Sequence, residues 1–387
     1  MGLRRTYRNT KNFIKDRISI LKGECTSKEL DCIEIDIMGS CTNKCFMCPA
    51  RAGKKKNRKM SDKMFEKIIN QLAERNFKGM IYLLGQCEPY LDKQLFEKIN
   101  FVNEKLPEAV IRIISNFTIL NDETIKKTIN SPIDLFTNSI YALDPINYEK
   151  ICGRPNFDKA FKNQIKFVKE YAKASPQPEF LFSIYLIETD FTKPEEDFLM
   201  YFLSLIPVPE TLRTGLINTK GILHQKTTPH MFSKCIYTPH VKIVNSGDMT
   251  ICSLDHDSIY KVGNISEDNV YDVINNKKAR TIRRKMLFSK QDISSCQCCD
   301  YGNTENKFLY FLPIKDELRQ KLTRKYCNPV FPRFEVVYKN SPEQIAEKLE
   351  KYNQIFKDGE EDKWLDALQS LREEFYGNKS EQLVKVN

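Results

Sequence analysis

The sequence has no hydrophobic run of the ~18–20 residues that a membrane helix needs. The longest candidate, Phe198 to Val208, is short and interrupted by Pro207. Arg4, Arg5 and Arg8 are followed by no apolar stretch, so no secretory signal is read there and a cytoplasmic location is the expectation. Internal repeats and low-complexity tracts are absent. Histidine is scarce, with four in 387 residues, so a bound metal would rest mainly on sulfur. Hydrophobic residues at 41% and charged residues at 29% exclude a disordered chain, and the length allows two or three domains.

Cysteine is what the sequence has in quantity. There are thirteen, an odd number that cannot pair fully within one chain. Without an export signal a disulfide framework is not expected. Clustered thiols with few imidazoles favour zinc or iron–sulfur centres. The net charge of +10 permits an anionic small-molecule substrate, although lysine and glutamate intermix as on solvated helix faces. No pattern interleaves aromatic with basic residues, which argues against nucleic acid as a partner. One dense basic run, from Arg51 to Lys59, reads as a solvated loop rather than an anion cradle.

From Leu30 the chain alternates strand and helix patterns. Strands are expected at Cys32–Ile37, Met80–Leu84, Ala109–Ile114, Ile133–Ile140, Phe180–Ile187 and Leu212–Ile217. Helices are expected from Ser61 as cap, then over Leu91–Asn103, Asp122–Asn130, Phe157–Ala174 and Pro194–Leu205. Six such alternations argue for parallel strands with helical crossovers, an α/β fold that fits a partial barrel or an open sheet. After Gly221 the pattern changes. Val241–Val244 and Met249–Cys252 flank Asn245-Ser246-Gly247-Asp248, a hairpin signal. A helical stretch is read from Asn269 to about Phe288, and the chain beyond Asp300 reads as mostly helical, with an amphipathic stripe of Ile345, Leu349, Tyr352 and Ile355.

The first strand runs into Cys41-Thr-Asn-Lys-Cys45-Phe-Met-Cys48. Zinc sites usually come as Cys-x2-Cys pairs with a second pair elsewhere. Three thiolates in one loop leave a [4Fe–4S] cluster with one iron free of protein ligands, and an open iron can coordinate a substrate or cofactor. The loop follows the carboxyl end of a strand, where barrel-like α/β folds keep their active sites.

This constellation resembles the radical S-adenosylmethionine (SAM) enzymes, over roughly residues 31 to 220. The resemblance implies a partial (β/α)6 barrel and a cluster on Cys41, Cys45 and Cys48 whose open iron chelates SAM. One electron then cleaves SAM to a 5′-deoxyadenosyl radical that abstracts hydrogen from substrate. Gly85-Gln86-Cys87-Glu88-Pro89 resembles the family's Gly-x-Gly-Glu-Pro segment, which implies that Gly85 and Glu88 bind the SAM amino group. Ser115-Asn116-Phe117 resembles Thr-Asn-Gly, and Ser139 resembles the Ser of Ser-x-Asp-Gly, which makes Asn116 and Ser139 candidate SAM contacts. Tyr148-Glu-Lys-Ile151-Cys152-Gly153-Arg154 resembles Tyr-x-x-Ile-Arg-Gly, with Cys152 in place of the Arg and Arg154 as the substitute for its carboxylate contact. A flavodoxin- or ferredoxin-like electron donor is implied as well.

Cys235, Cys252, Cys296 and Cys299 form a second constellation. It resembles the twitch subdomain, the shortened form of the SPASM extension, which implies one auxiliary [4Fe–4S] cluster. A full SPASM extension needs about seven cysteines, and only Cys327 remains beyond Cys299. Four thiolates saturate a cluster and leave it electron transfer as its chemistry. Loss of a proton and an electron from a substrate radical needs a base near the substrate, for which Glu188, Asp255 and His256 are the candidates, and Asp255 and His256 follow the second auxiliary ligand closely. The expected segments are a basic 1–30, a radical SAM core at 31–221, a twitch-like region at 222–300 and a mainly helical extension at 301–387. The expected activity is dehydrogenation of a sugar or cyclitol alcohol, with the auxiliary cluster as electron acceptor. The alternatives are peptide or protein modification and a non-enzymatic metal-stabilised binding protein.

Overall fold

The structure is a computed structural model. It describes residues 22, 30, 32–46, 48, 59–84, 87–142, 145–174, 179–186, 210–215, 233–234, 240–255, 257–289, 292–297, 305–306 and 336–339, and scattered positions from 341 to 370. Among them no helix is long and apolar enough to cross a membrane.

Six parallel strands lie side by side in chain order: β1 (Cys32–Asp36), β2 (Met80–Leu84), β3 (Val110–Ser115), β4 (Leu135–Ile140), β5 (Glu179–Leu186) and β6 (Glu210–Gly215). This is the expected partial barrel, with strand ends within about two residues of those read from the sequence. The crossovers carry α1 (Asp62–Glu74), α2 (Leu95–Lys105), α3 (Asp122–Ile129), α4 (Pro145–Cys152) and α5 (Phe157–Lys173). A 3-10 turn at Pro89–Leu91 precedes α2, which starts later than the apolar spacing suggested. The residues at 194–205, expected as a helix, lie outside those described.

Local chemistry sets the helix starts. The Ser61 hydroxyl accepts the Met64 amide at 3.3 Å and caps α1. Asn121 and Thr124 exchange side-chain and backbone bonds at the start of α3 as a capping box. On α1, Phe65, Ile68, Ile69 and Leu72 form the buried stripe.

Period-two alternation divides the sheet into two faces. Ile33, Ile35, Ile81, Leu83, Ile111, Ile113 and Phe136 join the helices in one hydrophobic core. Register places Glu34, Tyr82 and Arg112 in one row on the opposite face. That face mixes these polar groups with apolar ones such as Ile114 and Leu135, and it is the interior of the partial barrel.

The second segment builds on the first. β8 (His240–Ile243) pairs parallel with β1, opposite β2. It turns through Asn245–Gly247 into β9 (Asp248–Thr250), which pairs with β10 (Gly263–Asn264). The expected hairpin is therefore a continuation of the core sheet. The stretch read as one helix from Asn269 is two, α6 (Val270–Ile274) and α7 (Lys277–Phe288). Asn276 breaks it, because its side chain accepts the Ala279 amide and caps a new helix. α8 (Ser294–Gln297) carries Cys296.

Two strands fall in the part read as helical. β12 (Val336–Lys339) pairs antiparallel with β6, and β11 (Glu305–Asn306) pairs with β7 (Ser233–Lys234). Ile345, Leu349, Tyr352 and Ile355 lie outside the described residues.

Candidate metal centre

The loop after β1 holds Cys41, Cys45 and Cys48, and α4 clamps it. The Lys44 amide donates to the Cys152 carbonyl at 2.7 Å, and the Phe46 amide donates to the Ile151 carbonyl at 3.0 Å. The Asn43 side-chain amide donates to the Tyr148 hydroxyl at 3.0 Å, and Asn156 donates to the Asn43 side-chain oxygen at 3.1 Å. Gly153 ends α4 at φ +63°, and a Cβ there would stand 2.8 Å from the Lys44 carbonyl oxygen. Only glycine gives this approach at low cost. The helix α4 was not read from the sequence. The motif residues Tyr148, Ile151 and Gly153, which lie in it or at its end, all serve this clamp.

The thiols sit at different depths: Cys45 is buried, Cys48 half-buried and Cys41 exposed. The Cys152 thiol lies against Cys45, and that contact, together with burial, pushes the Cys45 thiol far up. Cys87 is also raised, by burial and by the charges of Asp36 and Glu88. A bound cationic metal centre reverses this balance, because thiolate ligands need a positive charge to stay ionised. Among the described residues no three cysteine, histidine or acidic side chains converge tightly enough for a single ion. A cubane places its thiolates on three different irons and needs them further apart. The donor set of three soft thiols in one loop fits such a cluster and not a mononuclear zinc site.

Glu88 and Asn116 come together beside this loop, as the motifs suggested. Glu88 is 1% exposed. Its carboxylate accepts the Ser115 hydroxyl at 2.7 Å and the Asn116 amide at 2.9 Å, and its own amide donates to the Ser40 carbonyl at 2.9 Å. Burial raises the Glu88 carboxyl to about 7, against the pull of those two donors and of the Tyr90 amide. The Asn116 side chain donates to the Cys41 sulfur at 3.4 Å and to the Thr42 hydroxyl at 3.1 Å. Thr42 and Thr118, not singled out from the sequence, complete this polar knot. Phe117 takes φ +64°, where the resembling motif has glycine. Its ring packs 5.6 Å from Phe136 and 5.3 Å from Phe167, which offsets the backbone cost.

Ser139 is buried near the end of β4, on the same face as Thr137. Arg154 is exposed, with no side-chain partner among the described residues, so the structure does not bring it into this knot. Gly85 and Glu188 lie outside the described residues.

Of the second constellation, Cys252 and Cys296 are described, both half-buried. Cys235, Cys299 and His256 lie outside. The Asp255 carboxylate, read from the sequence as a candidate base, instead accepts the Ile259 amide at 3.0 Å and the Tyr260 amide at 2.8 Å. The Tyr260 hydroxyl meets Ser294 at 2.8 Å and accepts the Ser295 amide at 3.2 Å. Asp255 thereby ties the turn after Cys252 to the turn that carries Cys296.

Lys242 joins the two regions. Its ammonium lies 2.9 Å from Glu34, 3.1 Å from Asp36 and 3.2 Å from the Ser253 carbonyl. Burial opposes its charge, but Asp36 and Glu34 outweigh that and hold its pKa above the ordinary lysine range.

Comparison with known proteins agrees with this arrangement. The model of the radical SAM superfamily matches residues 35–181. A model described as an iron–sulfur cluster-binding domain, SPASM, matches residues 235–300. The S-adenosyl-L-methionine-dependent 2-deoxy-scyllo-inosamine dehydrogenase of Niallia circulans is 21% identical over 288 residues, which span 72% of this chain and 97% of that protein. The crystal structure of BtrN in complex with AdoMet and 2-DOIA shares the fold at TM-score 0.50 and 18% identity, over 70% of this chain and 93% of that one. Streptococcus suis SuiB bound to precursor peptide SuiA shares it at TM-score 0.55 and 14% identity, over 83% of this chain and 82% of that one.

Proposed function

Because this chain belongs to the radical SAM superfamily and carries a SPASM-type iron–sulfur region, we propose that it dehydrogenates a small hydroxylated substrate, a sugar or cyclitol alcohol. The two matched domains imply SAM, its [4Fe–4S] cluster and an auxiliary iron–sulfur cluster as cofactors. When bound, these supply reductive cleavage of SAM, hydrogen-atom abstraction and a sink for one electron.

The chain's own residues are assigned as follows. Cys41, Cys45 and Cys48 hold the first cluster. Gly153 and the carbonyls of Ile151 and Cys152 fix the loop that presents them. Glu88 holds the Ser115–Asn116 turn against Cys41 and keeps acceptor capacity for an ammonium group, since a carboxylate has about four lone-pair sites and the Ser115, Asn116 and Tyr90 donors use three. Cys252 and Cys296, with Cys235 and Cys299, hold the auxiliary cluster. Asp255 serves as a loop-capping residue in this scheme, not as the base.

The observation that carries the reading is the cysteine count of the second region, which holds five, Cys235, Cys252, Cys296, Cys298 and Cys299, enough for one cluster and too few for two. Four ligands saturate a single auxiliary cluster, and the two-cluster extension would need about seven. The near-complete span of the Niallia circulans dehydrogenase supports the same reading. A flavodoxin- or ferredoxin-like protein is the proposed electron donor.

The test is anaerobic turnover of reconstituted protein with SAM, a reductant and a panel of sugars and cyclitols. Ketone formation matched by 5′-deoxyadenosine supports the reading. Cleavage of SAM with a peptide substrate and with no polyol in the panel would overturn it.

A further inference from the structure

Among the described side chains, the interior face of the sheet holds four charged groups in one neighbourhood of the register: Glu34 and Asp36 on β1, Lys242 on β8 and Arg112 on β3. Three of them form an ion-paired group around the Lys242 ammonium. Arg112 stands apart. Its guanidinium carbon lies 4.9 Å from the centre of the Tyr82 ring. One terminal nitrogen donates to the Thr137 hydroxyl at a long 3.4 Å. Its Nε is buried and has no partner. Among the described residues no carboxylate pairs with it.

The direction of the side chain follows from the register. Arg112 pairs with Leu135, whereas Thr137 pairs with Ile114. Thr137 is therefore two residues nearer the carboxyl ends of the strands, and the guanidinium leans that way. Those ends carry the cysteine loop after β1 and the Asn116 turn after β3. A guanidinium has five donors and does not lose its charge. Holding it partly dry with one weak bond is costly unless a counter-charge arrives. The Tyr82 ring lies beside the guanidinium at cation–π distance, and a guanidinium can grip an oxyanion through two parallel bonds. Glu34 stands in the same row but is committed to Lys242, so among the described residues no carboxylate cancels the positive charge of Arg112.

We propose that Arg112, with Thr137, binds an oxyanionic group of the substrate, a phosphate or a carboxylate, below the reacting carbon. This rests on the reading of a small hydroxylated substrate and adds that the substrate is an acidic one, such as a sugar phosphate or sugar acid.

The experiment is anaerobic titration calorimetry of reconstituted, SAM-loaded protein with three probes: glucose, glucose 6-phosphate and glucuronate. At least one anionic probe binds about tenfold or more tightly than glucose, the scale of one charge-assisted contact. In Arg112→Gln that advantage disappears. In Arg112→Lys part of it remains, because the charge stays and the fork is lost. Preference for the phosphate or for the carboxylate identifies the group. Iron content and SAM affinity stay at wild-type levels in both variants.

Equal binding of all three probes, no binding of the anionic ones, or an advantage that survives in Arg112→Gln overturns the proposal. If Arg112→Gln does not fold, the wild type decides alone. Inorganic phosphate then competes with the bound anionic probe while chloride at equal ionic strength does not, and failure of that competition overturns the proposal. The wild type's cleavage of SAM to 5′-deoxyadenosine is scored separately. Its absence defeats the proposed function without touching the anion site.

Discussion

The main-chain amide of Lys44 donates to the carbonyl of Cys152 at 2.7 Å, and this bond joins the cysteine loop to the last turn of α4. The cysteine loop is thus not a free excursion after β1. It is held on both sides of Cys45 by a helix that begins a hundred residues later in the chain. The stiffness matters, because a cluster ligated from one short loop takes its orientation from that loop's backbone.

Gly153 is where the clamp is most exposed to substitution. Gly153→Ala places a methyl 2.8 Å from the Lys44 carbonyl oxygen at φ +63°. A destabilisation of about 1–3 kcal/mol is expected, together with reduced iron at the first site and normal iron at the second. Urea melts and iron counts in variants lacking one or the other cysteine set check this. Unchanged iron at the first site would show that the clamp does not hold the loop.

Lys242 should matter more to stability than its place on a hairpin suggests. Lys242→Met leaves Glu34 and Asp36 buried without a cation, and a loss of about 3–5 kcal/mol is expected. Adding Glu34→Gln and Asp36→Asn removes the orphaned charges and should restore most of that loss. Denaturation of the single and triple variants measures both. A triple variant as unstable as the single one would contradict the charge argument.

Glu88 gives a pH dependence with a defined sign. Its carboxyl is raised by burial to about 7, from the ordinary glutamate value of 4.5. The folded protein without bound cofactors therefore holds a proton that the unfolded chain has released, and stability falls as pH rises between those two values. Glu88→Gln removes this dependence. The melting-temperature difference between variant and wild type should shift in favour of Gln from pH 5 to pH 8. A difference that stays flat with pH would mean that Glu88 titrates normally.

Asp255 separates two roles cleanly. As a cap on the Ile259 and Tyr260 amides it should affect the auxiliary site and leave the acid–base chemistry alone. Asp255→Ala is expected to lower iron retention at the second site and to leave the pH profile of turnover in place. A displaced pH profile with full iron would restore Asp255 as the base.

Much of this could be read in the residues. The alternation in Cys32–Asp36 identified both the strand and its two faces, and Ser61 marked the start of α1. The spacing of Cys41, Cys45 and Cys48 marked the loop. What escaped depends on distant partners. Glu34 and Lys242 are 208 residues apart, and nothing local signals that β8 lies beside β1. The break between α6 and α7 turns on whether Asn276 caps or continues a helix, and its neighbours allow both. Asp255 looked chemical because it follows a cysteine, and only the folded turn reveals its two amide donors. Thr42, Asn43 and Thr118 had no pattern of their own, because their value comes from meeting Asn116 and Tyr148.

The most direct measurement is iron and acid-labile sulfide per chain after anaerobic reconstitution, in the wild type and in Cys41/Cys45/Cys48→Ala. The account predicts about eight irons and eight sulfides in the wild type and about four of each in the variant, with cubane-type spectra in both. Loss of all iron and sulfide from the variant, with zinc retained, would contradict the second cluster and with it the electron sink. An unchanged iron count would contradict the assignment of the first cluster to these three cysteines.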